Sequence, residues 1–305
     1  KGKKITLPWE LKLTKINTIM MKKLLLTGAI ILSLLTFTAT LQAKPRKVAV
    51  QTYTFNRFSL EETIEKLKGL KIDGLEVYPG QRLYKDKGKV DAKGKPITFN
   101  ERMAKEDIDV LKGWLKDANF KIVSIGCTGT PDNGNDFKKT MDFCKEFGIQ
   151  RIVTEAPVRA WDRFEELSEK FGNTEVDLCI HNHEKGSGNQ YWHPEVVKIL
   201  LNDGKYKHVF SGADVGHWSR CKLDPISGLK ALKGKMKTIH FKDQKEFGNP
   251  QNLCVPFGTG ELGCVKMLKE LDKQKYDGWF VIEYEADWND NLEKVKQCID
   301  FLRKN

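Results

Sequence analysis

The sequence predicts an α/β protein built as a single (β/α)8 barrel, and two observations carry this prediction. Eight short apolar runs alternate with amphipathic segments from residue 47 to residue 304, a pattern typical of parallel strands joined by helical crossovers. Acidic or histidine side chains also stand where several of these runs end. Charged groups at strand ends are costly unless they meet a metal or a substrate, and in such a barrel the strand ends form the active face.

Each predicted strand is a short run rich in β-branched and aromatic residues, bounded by turn-forming or charged residues. Because a helical segment separates each run from the next, the strands should be parallel, and right-handed crossovers should close the barrel. The predicted strands are, in chain order, KVAVQTYTF, DGLEVYP, KIVSIG, QRIVTEA, VDLCIHNH, KHVFSGADVG, KMKTIHFKD and GWFVIEYE.

The first predicted helix carries its own start signal, because Ser59 is followed three residues later by Glu62 in SLEETIEKLKGL, which forms a capping box. Two long polar stretches, 79–100 and 248–263, are predicted as loops, and loops of this length are usually functional or mobile. The other predicted helices are, in order, 102–118, DFKKTMDFCKEFG, WDRFEELSEKFG, PEVVKILLND, DPISGLKALKG, CVKMLKELDKQ and LEKVKQCIDFLRK.

The first 43 residues differ in character from the rest. Residues 1–20 carry no apolar period, and we interpret them as a probable upstream or non-native extension. Residues 21–43 combine a basic start, an apolar stretch and a small residue at Ala43, which predicts a cleaved signal peptide rather than a membrane anchor. The barrel domain would then be 44–305, located in the periplasm or secreted, with no stable membrane anchor after cleavage.

The charge balance argues against a nucleic-acid partner. The formal net charge is +11, but residues 1–43 contain seven Lys and one Glu, which leaves +5 for residues 44–305. A mild excess of this size does not form the basic surface of a nucleic-acid-binding protein. The seven cysteines fit no zinc-binding spacing, and small buried side chains are the favoured interpretation.

Four residues at strand ends are candidate metal ligands. Two or three carboxylates with one imidazole suit one divalent ion such as Mn, Co, Zn or Mg. For any one of these residues an ordinary ion pair is the alternative explanation. That explanation would require a separate ion pair at the end of each of four strands. The candidates are Glu155, Asp214, His240 and Glu283, and Glu76 closes the second strand in a similar way.

Histidines supply the next group of candidates, since all six in the chain lie between residues 181 and 240. Strand alternation places His181 and His183 on one face with Asn182 opposite, where one of them could ligate the metal and either imidazole can bind a sugar hydroxyl or move a proton. Asp214 and His217 form a DxxH pair that places a ligand beside a proton donor. A core histidine bonded to a backbone carbonyl remains the alternative.

Charged residues near the last two strands complete the substrate site. Lys242 is placed to contact a substrate oxygen or to neutralise the negative charge of an enolate, and Asp243 is placed to orient Lys242. Strand alternation puts Glu285 on the same face as Glu283. A solvated salt bridge is the alternative. Flat faces for a sugar ring could come from Trp161, Trp218, Trp279 and Tyr284, although such residues more often belong to the core.

Taken together, GLEVYP, IVTEAP, IHNH, DVGH, IHFKD, VPFGTGELG and GWFVIEYE resemble the sugar phosphate isomerase/epimerase family with a xylose isomerase-like TIM barrel. The resemblance implies one divalent ion held by Glu155, Asp214, His240 and Glu283. One departure is His181, because epimerases related to tagatose epimerase usually have a Glu at the fifth strand. The ligand set therefore resembles the inosose dehydratase-like branch.

The chemistry that the resemblance implies begins with removal of a proton next to a carbonyl, through an enediolate. Glu155, Glu283, His183 or His217 would move the proton, and Lys242 would stabilise the charge. The leading expectation is an exported metal-dependent isomerase or epimerase acting on a sugar or keto sugar. The alternative is a keto-sugar lyase or dehydratase, including 3-keto-glycoside lyases. A non-catalytic sugar-binding barrel and an AP endonuclease-like nuclease complete the alternatives.

Overall fold

The structure is a computed structural model that describes residues 2, 45–188, 190–201, 204–251 and 253–305. Apart from Gly2, the predicted extension and signal peptide lie outside the described residues. Within the described part of the chain, no helix has the length and apolar character needed to span a membrane.

Eight parallel strands close into a barrel in chain order, with β1 paired to both β2 and β8. This confirms the predicted α/β barrel. The strands are β1 (Lys47–Gln51), β2 (Gly74–Val77), β3 (Lys121–Ile125), β4 (Arg151–Thr154), β5 (Asp177–His181), β6 (Val209–Asp214), β7 (Met236–Phe241) and β8 (Trp279–Ile282).

Helices surround the barrel, and the first has the predicted capping box between Ser59 and Glu62. The described helices are α1 (Leu60–Leu67), α2 (Lys105–Ala118), α3 (Gly134–Phe147), α4 (Val158–Phe171), α5 (Pro194–Leu200), α6 (Val215–Arg220), α7 (Pro225–Ala231), α8 (Cys264–Lys273) and α9 (Leu292–Lys304).

All eight predicted strands extend past the carboxyl ends that the structure shows, and in two of them the next element explains the early end. The first ends at Gln51 and continues as a 3-10 turn, Thr52–Phe55, because hydroxyl groups of this turn bind the neighbouring strand loops. The sixth ends at Asp214, whose side chain accepts a hydrogen bond from the backbone N–H of His217 and so starts α6. In this way Asp214 stands at the point where a strand changes into a helix.

The main apolar core lies between the strands and the helices, where it excludes water from both layers. Trp161, Trp218 and Tyr284 are almost fully buried, so they are not available to stack on a substrate. Trp279 is the first residue of β8, so it lies at the amino-terminal end of the barrel, away from the active face, and it packs on a small apolar cluster. The sequence-based suggestion that these four rings bind sugar is therefore wrong.

The seven cysteines lie within the described residues and are free, five of them buried. This agrees with their interpretation as small apolar side chains. Burial raises the pKa of the Cys144 thiol to about 12, which keeps it protonated and unreactive.

Candidate metal centre and active site

Four side chains from four neighbouring strands meet at the carboxyl end of the barrel. His181 and Asp214 end β5 and β6, His240 lies in β7, and Glu283 follows β8 directly. One potential ligand atom from each lies within 4.8 Å of the others, and all four residues are buried. The barrel therefore brings two imidazoles and two carboxylates together in a space that suits one cation.

The distances place Asp214 at the middle of this group. Its Oδ2 atom lies 3.5 Å from Nε2 of His181 and 3.6 Å from Nδ1 of His240. The Nδ1 atom of His240 is also 2.9 Å from Oε2 of Glu283. The same Oδ2 atom of Asp214 lies 2.9 Å from Nζ of Lys242, so two imidazoles and one ammonium surround it.

This donor set fits a divalent ion. Imidazole nitrogens and carboxylate oxygens in equal number are ligands that Zn, Mn and Co accept, and Mg accepts the oxygens. Two buried carboxylates this close together, Asp214 and Glu283, are costly unless cations compensate them, and the single ammonium of Lys242 balances only one of the two charges. The residues present are therefore able to hold the metal that the fold implies.

Lys242 supplies positive charge at the same place. It is fully buried, and its Nζ lies 2.9 Å from Asp214 Oδ2 and 2.8 Å from Glu283 Oε2. Burial opposes the charge on Asp214 and Glu283, but the Lys242 ammonium outweighs it and holds the pKa of both carboxyls well below the usual range. Both groups are therefore carboxylates at neutral pH.

Glu76 positions His240 through Nε2, the ring nitrogen that does not face the group of four. The residue is fully buried in β2, and its Oε1 lies 2.6 Å from Nε2 of His240. The same carboxylate accepts hydrogen bonds from Nε2 of Gln51 at 2.7 Å and from Oγ of Ser124 at 2.6 Å. With Nε2–H of His240 donated to Glu76, the Nδ1 lone pair of His240 faces Asp214 and Glu283.

Asn182 fixes the end of β6. Its amide donates to the backbone carbonyl of Asp214 at 2.9 Å and accepts from the backbone N–H of Asp214 at 2.8 Å. This two-way bond between neighbouring strands sets the position of the Asp214 backbone, so the carboxylate enters the group from a rigid support. β5 ends at His181, so the strand alternation predicted for residues 181–183 does not extend to His183.

Glu155 lies outside the group of four, in contrast to the expected ligand set. β4 ends at Thr154, and the Glu155 side chain beyond it is 37% exposed. Its Oε1 contacts Nδ1 of His181 at 3.1 Å, and it forms a separate group with Cys127 and His181. The structure thus places His181 in the position that the sequence had assigned to Glu155. The His181 side chain, at the end of β5, points into the group, whereas Glu155 follows the end of β4 and lies outside the group.

His183, Glu184 and His217 form a second group beside the first. The rings of His183 and His217 lie 3.8 Å apart between centroids, and Oε2 of Glu184 lies 2.7 Å from His183 Nδ1 and 2.6 Å from His217 Nδ1. The hydrogen bond from His217 lowers the pKa of Glu184 to about 2. Burial lowers the pKa of His217, so a neutral imidazole faces a carboxylate.

Glu285 and Arg220 complete the charges around Lys242. Glu285 accepts hydrogen bonds from Nζ of Lys242 at 2.8 Å and from Nη2 of Arg220 at 3.0 Å. Gly216 gives Lys242 room, because a Cβ there would lie 2.7 Å from Lys242 Cδ. The Glu285 carboxylate is therefore committed to two cations, and it orients Lys242 instead of facing a substrate alone.

Asp243 does not face the mouth of the barrel, although the sequence suggested that it binds substrate. It is fully buried. Its two oxygens accept four backbone N–H bonds, from Gln244, Gly258, Gly260 and Leu262. Only glycine fits at 260, because a Cβ would lie 2.2 Å from the Gln244 carbonyl oxygen. Asp243 thus anchors the glycine-rich loop.

Several residues of the site carry no signal in the sequence. Gln51 and Ser124 lie inside apolar strands, where a single polar residue is common. Glu184 and Arg220 follow His183 and His217 in loops or helix ends. The one available signal was Glu76, a carboxylate inside a fully buried strand, since such a charge requires partners.

Comparisons with known proteins agree with this architecture. A family model described as a xylose isomerase-like TIM barrel matches residues 64–305. An inosose dehydratase of Mesomycoplasma hyopneumoniae (strain 7448) is 28% identical over 244 residues, covering 65% of this chain and 80% of the relative.

Two solved structures share the fold. An uncharacterised protein from Parabacteroides distasonis ATCC 8503 is 26% identical, with a TM-score of 0.63 over 85% of this chain and 98% of that one. A xylose isomerase-like TIM barrel protein from Mycobacterium smegmatis in complex with magnesium is 13% identical, with a TM-score of 0.64 over 85% of this chain and 96% of that one.

Proposed function

This chain belongs to the xylose isomerase-like TIM barrel family, and we propose that it is a divalent-metal-dependent lyase or dehydratase acting on a keto sugar or keto polyol. One observation carries the proposal: ligand atoms of His181, Asp214, His240 and Glu283 lie within 4.8 Å of one another at the active end of the barrel. A relative named inosose dehydratase supports the choice of reaction.

His181, Asp214, His240 and Glu283 would hold the ion. When bound, a divalent ion supplies a Lewis acid that polarises a carbonyl and makes the neighbouring C–H acidic. Glu76 keeps the proton of His240 on Nε2, so that Nδ1 stays available as a ligand. Lys242, 2.8 Å from Glu283, balances part of the negative charge that these carboxylates concentrate.

Glu155 is the proposed base. Its carboxylate lies beside the centre with 37% of the side chain accessible, so a substrate can reach it. The contact with His181 Nδ1 at 3.1 Å fixes its position. A carboxylate held in this way can take the proton next to a carbonyl.

The proton that a leaving oxygen needs would come from the histidine pair beside the centre. His183 and His217 stack on each other there, and the His183 side chain is 33% exposed. Glu184 contacts Nδ1 of both rings, so the two Nε2 atoms are directed away from it, and His183 would donate a proton from Nε2 as an imidazolium whose Nδ1–H is bound to Glu184. Glu155 as the base and His183 as the proton donor would together supply the two proton transfers of a β-elimination.

The same two proton-transfer groups make isomerisation or epimerisation the second candidate, because a proton removed by one group can be returned to the enediolate by either of them. The outcome depends on whether the substrate carries a leaving group β to the acidic C–H. A mass-resolved screen of keto sugars and keto polyols separates the two. Loss of water or of an alcohol supports the lyase, and an isobaric product supports the isomerase.

The metal requirement has a matched pair of variants. Asp214 and Asp224 both cap short helices with their carboxylates, and Asn can replace either cap. Asp214→Asn should lose both the bound metal and turnover, whereas Asp224→Asn should keep both. A metal content in Asp214→Asn equal to that of the wild type would refute the proposed centre. Full metal occupancy without turnover on the whole screen would indicate a sugar-binding barrel.

We also propose that the mature barrel acts outside the cytoplasm, on a small carbohydrate and without a nucleic-acid partner. The predicted signal peptide at 21–43 and the modest charge of residues 44–305 support this. Cell fractionation with amino-terminal sequencing of the exported form provides the test. A full-length protein in the cytoplasmic fraction would contradict the localisation.

A further inference from the structure

The ammonium of Lys242 contacts the same carboxylate oxygens that are the proposed metal ligands. Its Nζ lies 2.9 Å from Oδ2 of Asp214 and 2.8 Å from Oε2 of Glu283. Both of these oxygens also face Nδ1 of His240, at 3.6 Å and 2.9 Å. The ammonium and a divalent ion would therefore bind the same two oxygens at the same end of the barrel.

Two cations that share oxygen partners repel each other. Lys242 is completely buried, so water and salt screen little of the repulsion between its ammonium and an ion about 4 Å away. The hydrogen bonds that both carboxylates accept from the ammonium are charge-assisted, and these are among the stronger hydrogen bonds of a protein. A metal ion that binds here must therefore displace contacts that Lys242 makes.

Glu285 offers the ammonium a second position. Nζ of Lys242 also lies 2.8 Å from Oε2 of Glu285, which is not a member of the group of four. The same oxygen accepts a hydrogen bond from Nη2 of Arg220 at 3.0 Å. The ammonium can thus keep a charged partner when its other two carboxylates bind an ion.

The formal charges agree with two positions for the ammonium. Outside the group of four, Glu184 lies 4.0 Å from Arg220 and Glu285 lies 3.0 Å from it. With Lys242 held by Glu285, these two carboxylates match the two basic side chains. The two carboxylates of the group of four then carry two negative charges, which one divalent ion neutralises.

The Lys242 side chain can shift while its backbone stays fixed. The next residue, Asp243, accepts four backbone N–H bonds from the glycine-rich loop, which holds the end of β7. Gly216 leaves room beside the lysine stem, because a Cβ there would lie 2.7 Å from Lys242 Cδ. A lysine stem is flexible and its three N–H donors rotate, so the ammonium can exchange one set of carboxylates for the other.

We propose that Lys242 competes with the metal ion: its ammonium binds Asp214 and Glu283 until a divalent ion takes them, and it then remains with Glu285. This inference rests on the proposed metal centre and adds the residues that set its affinity. Lys242 weakens metal binding, and Glu285 restores part of the affinity by holding the displaced ammonium. A lysine that merely supports the ligands would have the opposite effect on affinity.

Titration of the protein with Mn²⁺, followed by the electron paramagnetic resonance of the free ion, measures this effect without a substrate. Lys242→Met keeps the length of the stem and removes the charge, so it should bind Mn²⁺ at least about tenfold more tightly than the wild type. Lys242→Gln, which keeps an N–H donor for the carboxylates, should show a gain in the same direction. Circular dichroism and melting curves verify that each variant is folded.

Glu285→Gln tests the second position of the ammonium. This variant should bind Mn²⁺ about tenfold more weakly than the wild type, because the displaced ammonium loses its charged partner. When Lys242→Met is also present, Glu285→Gln should change the affinity by less than about threefold, since no ammonium remains to be held. The double variant therefore separates competition by Lys242 from a direct effect of the Glu285 charge on the ion.

Lys237→Met is the matched control. Lys237 lies on the same strand as His240 and pairs with Asp177 at 3.3 Å, but it is near the amino-terminal end of that strand. Its variant should bind Mn²⁺ like the wild type. An equal gain in Lys237→Met and Lys242→Met would show a general effect of net charge and would overturn the inference.

Three further results would overturn it: no gain in affinity from the Lys242 variants, wild-type affinity in Glu285→Gln, or the same tenfold loss from Glu285→Gln with and without Lys242. Failure of the proposed metal centre has a different signature. In that case the wild type would not bind Mn²⁺, or Asp214→Asn would bind it as tightly as the wild type does.

Discussion

Glu76→Gln is the substitution that isolates the support behind the metal centre. The side chain keeps its size, and its amide oxygen can still accept from Gln51 and His240, while the hydroxyl of Ser124 can turn to accept from the new N–H. What changes is the charge next to His240 Nε2, 2.6 Å away. The variant therefore tests the electrostatic role of Glu76 with little change in packing.

The expected loss of metal affinity is 10- to 100-fold, on the order of 1.4–2.8 kcal/mol, because a carboxylate behind a ligating imidazole raises its basicity. The free energy of unfolding of the metal-free protein should change by less than about 1 kcal/mol, since weaker hydrogen bonds are offset by the removal of a buried charge. Competition titration with a metal-binding dye measures the first quantity, and urea unfolding the second.

Glu165→Gln is the control for this experiment. Glu165 is also a buried glutamate beside a histidine, with Oε1 3.1 Å from Nδ1 of His208, but His208 precedes β6 and is outside the metal centre. Its variant should bind metal like the wild type. A Glu76→Gln affinity within threefold of the wild type, or an equal loss in both variants, would refute the reasoning.

Three further variants test other parts of the site. His181→Ala should lose bound metal by elemental analysis, whereas Glu155→Gln should keep the metal and lose turnover at least 100-fold; the reverse pattern would restore Glu155 as the ligand. Glu184→Gln should be less stable than the wild type above pH 4.5, and the difference should vanish as the pH falls through about 2, because the pKa of Glu184 is depressed from 4.5 to about 2; urea unfolding at several pH values checks this, and a constant difference would contradict it. Asp243→Ala should cost about 3 kcal/mol or more in urea unfolding, because four backbone N–H groups lose their acceptor; a cost below about 1 kcal/mol would show that the loop has other support.

The barrel was predictable because apolar residues recur with a different spacing in strands and in helices. Each apolar run of the chain also has the length of a single strand or helix. The last helix, Leu292–Lys304, was predicted with the bounds that the structure shows. The change from β6 to α6 at Asp214 was missed, since the segment DVGH reads equally well as a strand end. There the Asp214 cap starts α6, and the segment lacks the Glu or Gln three residues later that made the cap at Ser59 recognisable.

The candidate site was predictable in outline and less so in detail. Asp214, His240 and Glu283 come together as the strand register requires. Glu155 was expected among the four ligands and His181 only as an alternative ligand, because one residue more or less in a strand turns a side chain from the inside to the rim. Contacts such as Glu76 with His240 join residues 164 positions apart, and no local pattern records them.

Anomalous diffraction from metal-soaked crystals would locate the cation that four side chains at the ends of β5 to β8 are proposed to share. We expect a single strong peak within bonding distance of His181 Nε2, Asp214 Oδ2, His240 Nδ1 and Glu283 Oε2. The absence of a peak there, or a peak held by Cys127 and Glu155 instead, would contradict it.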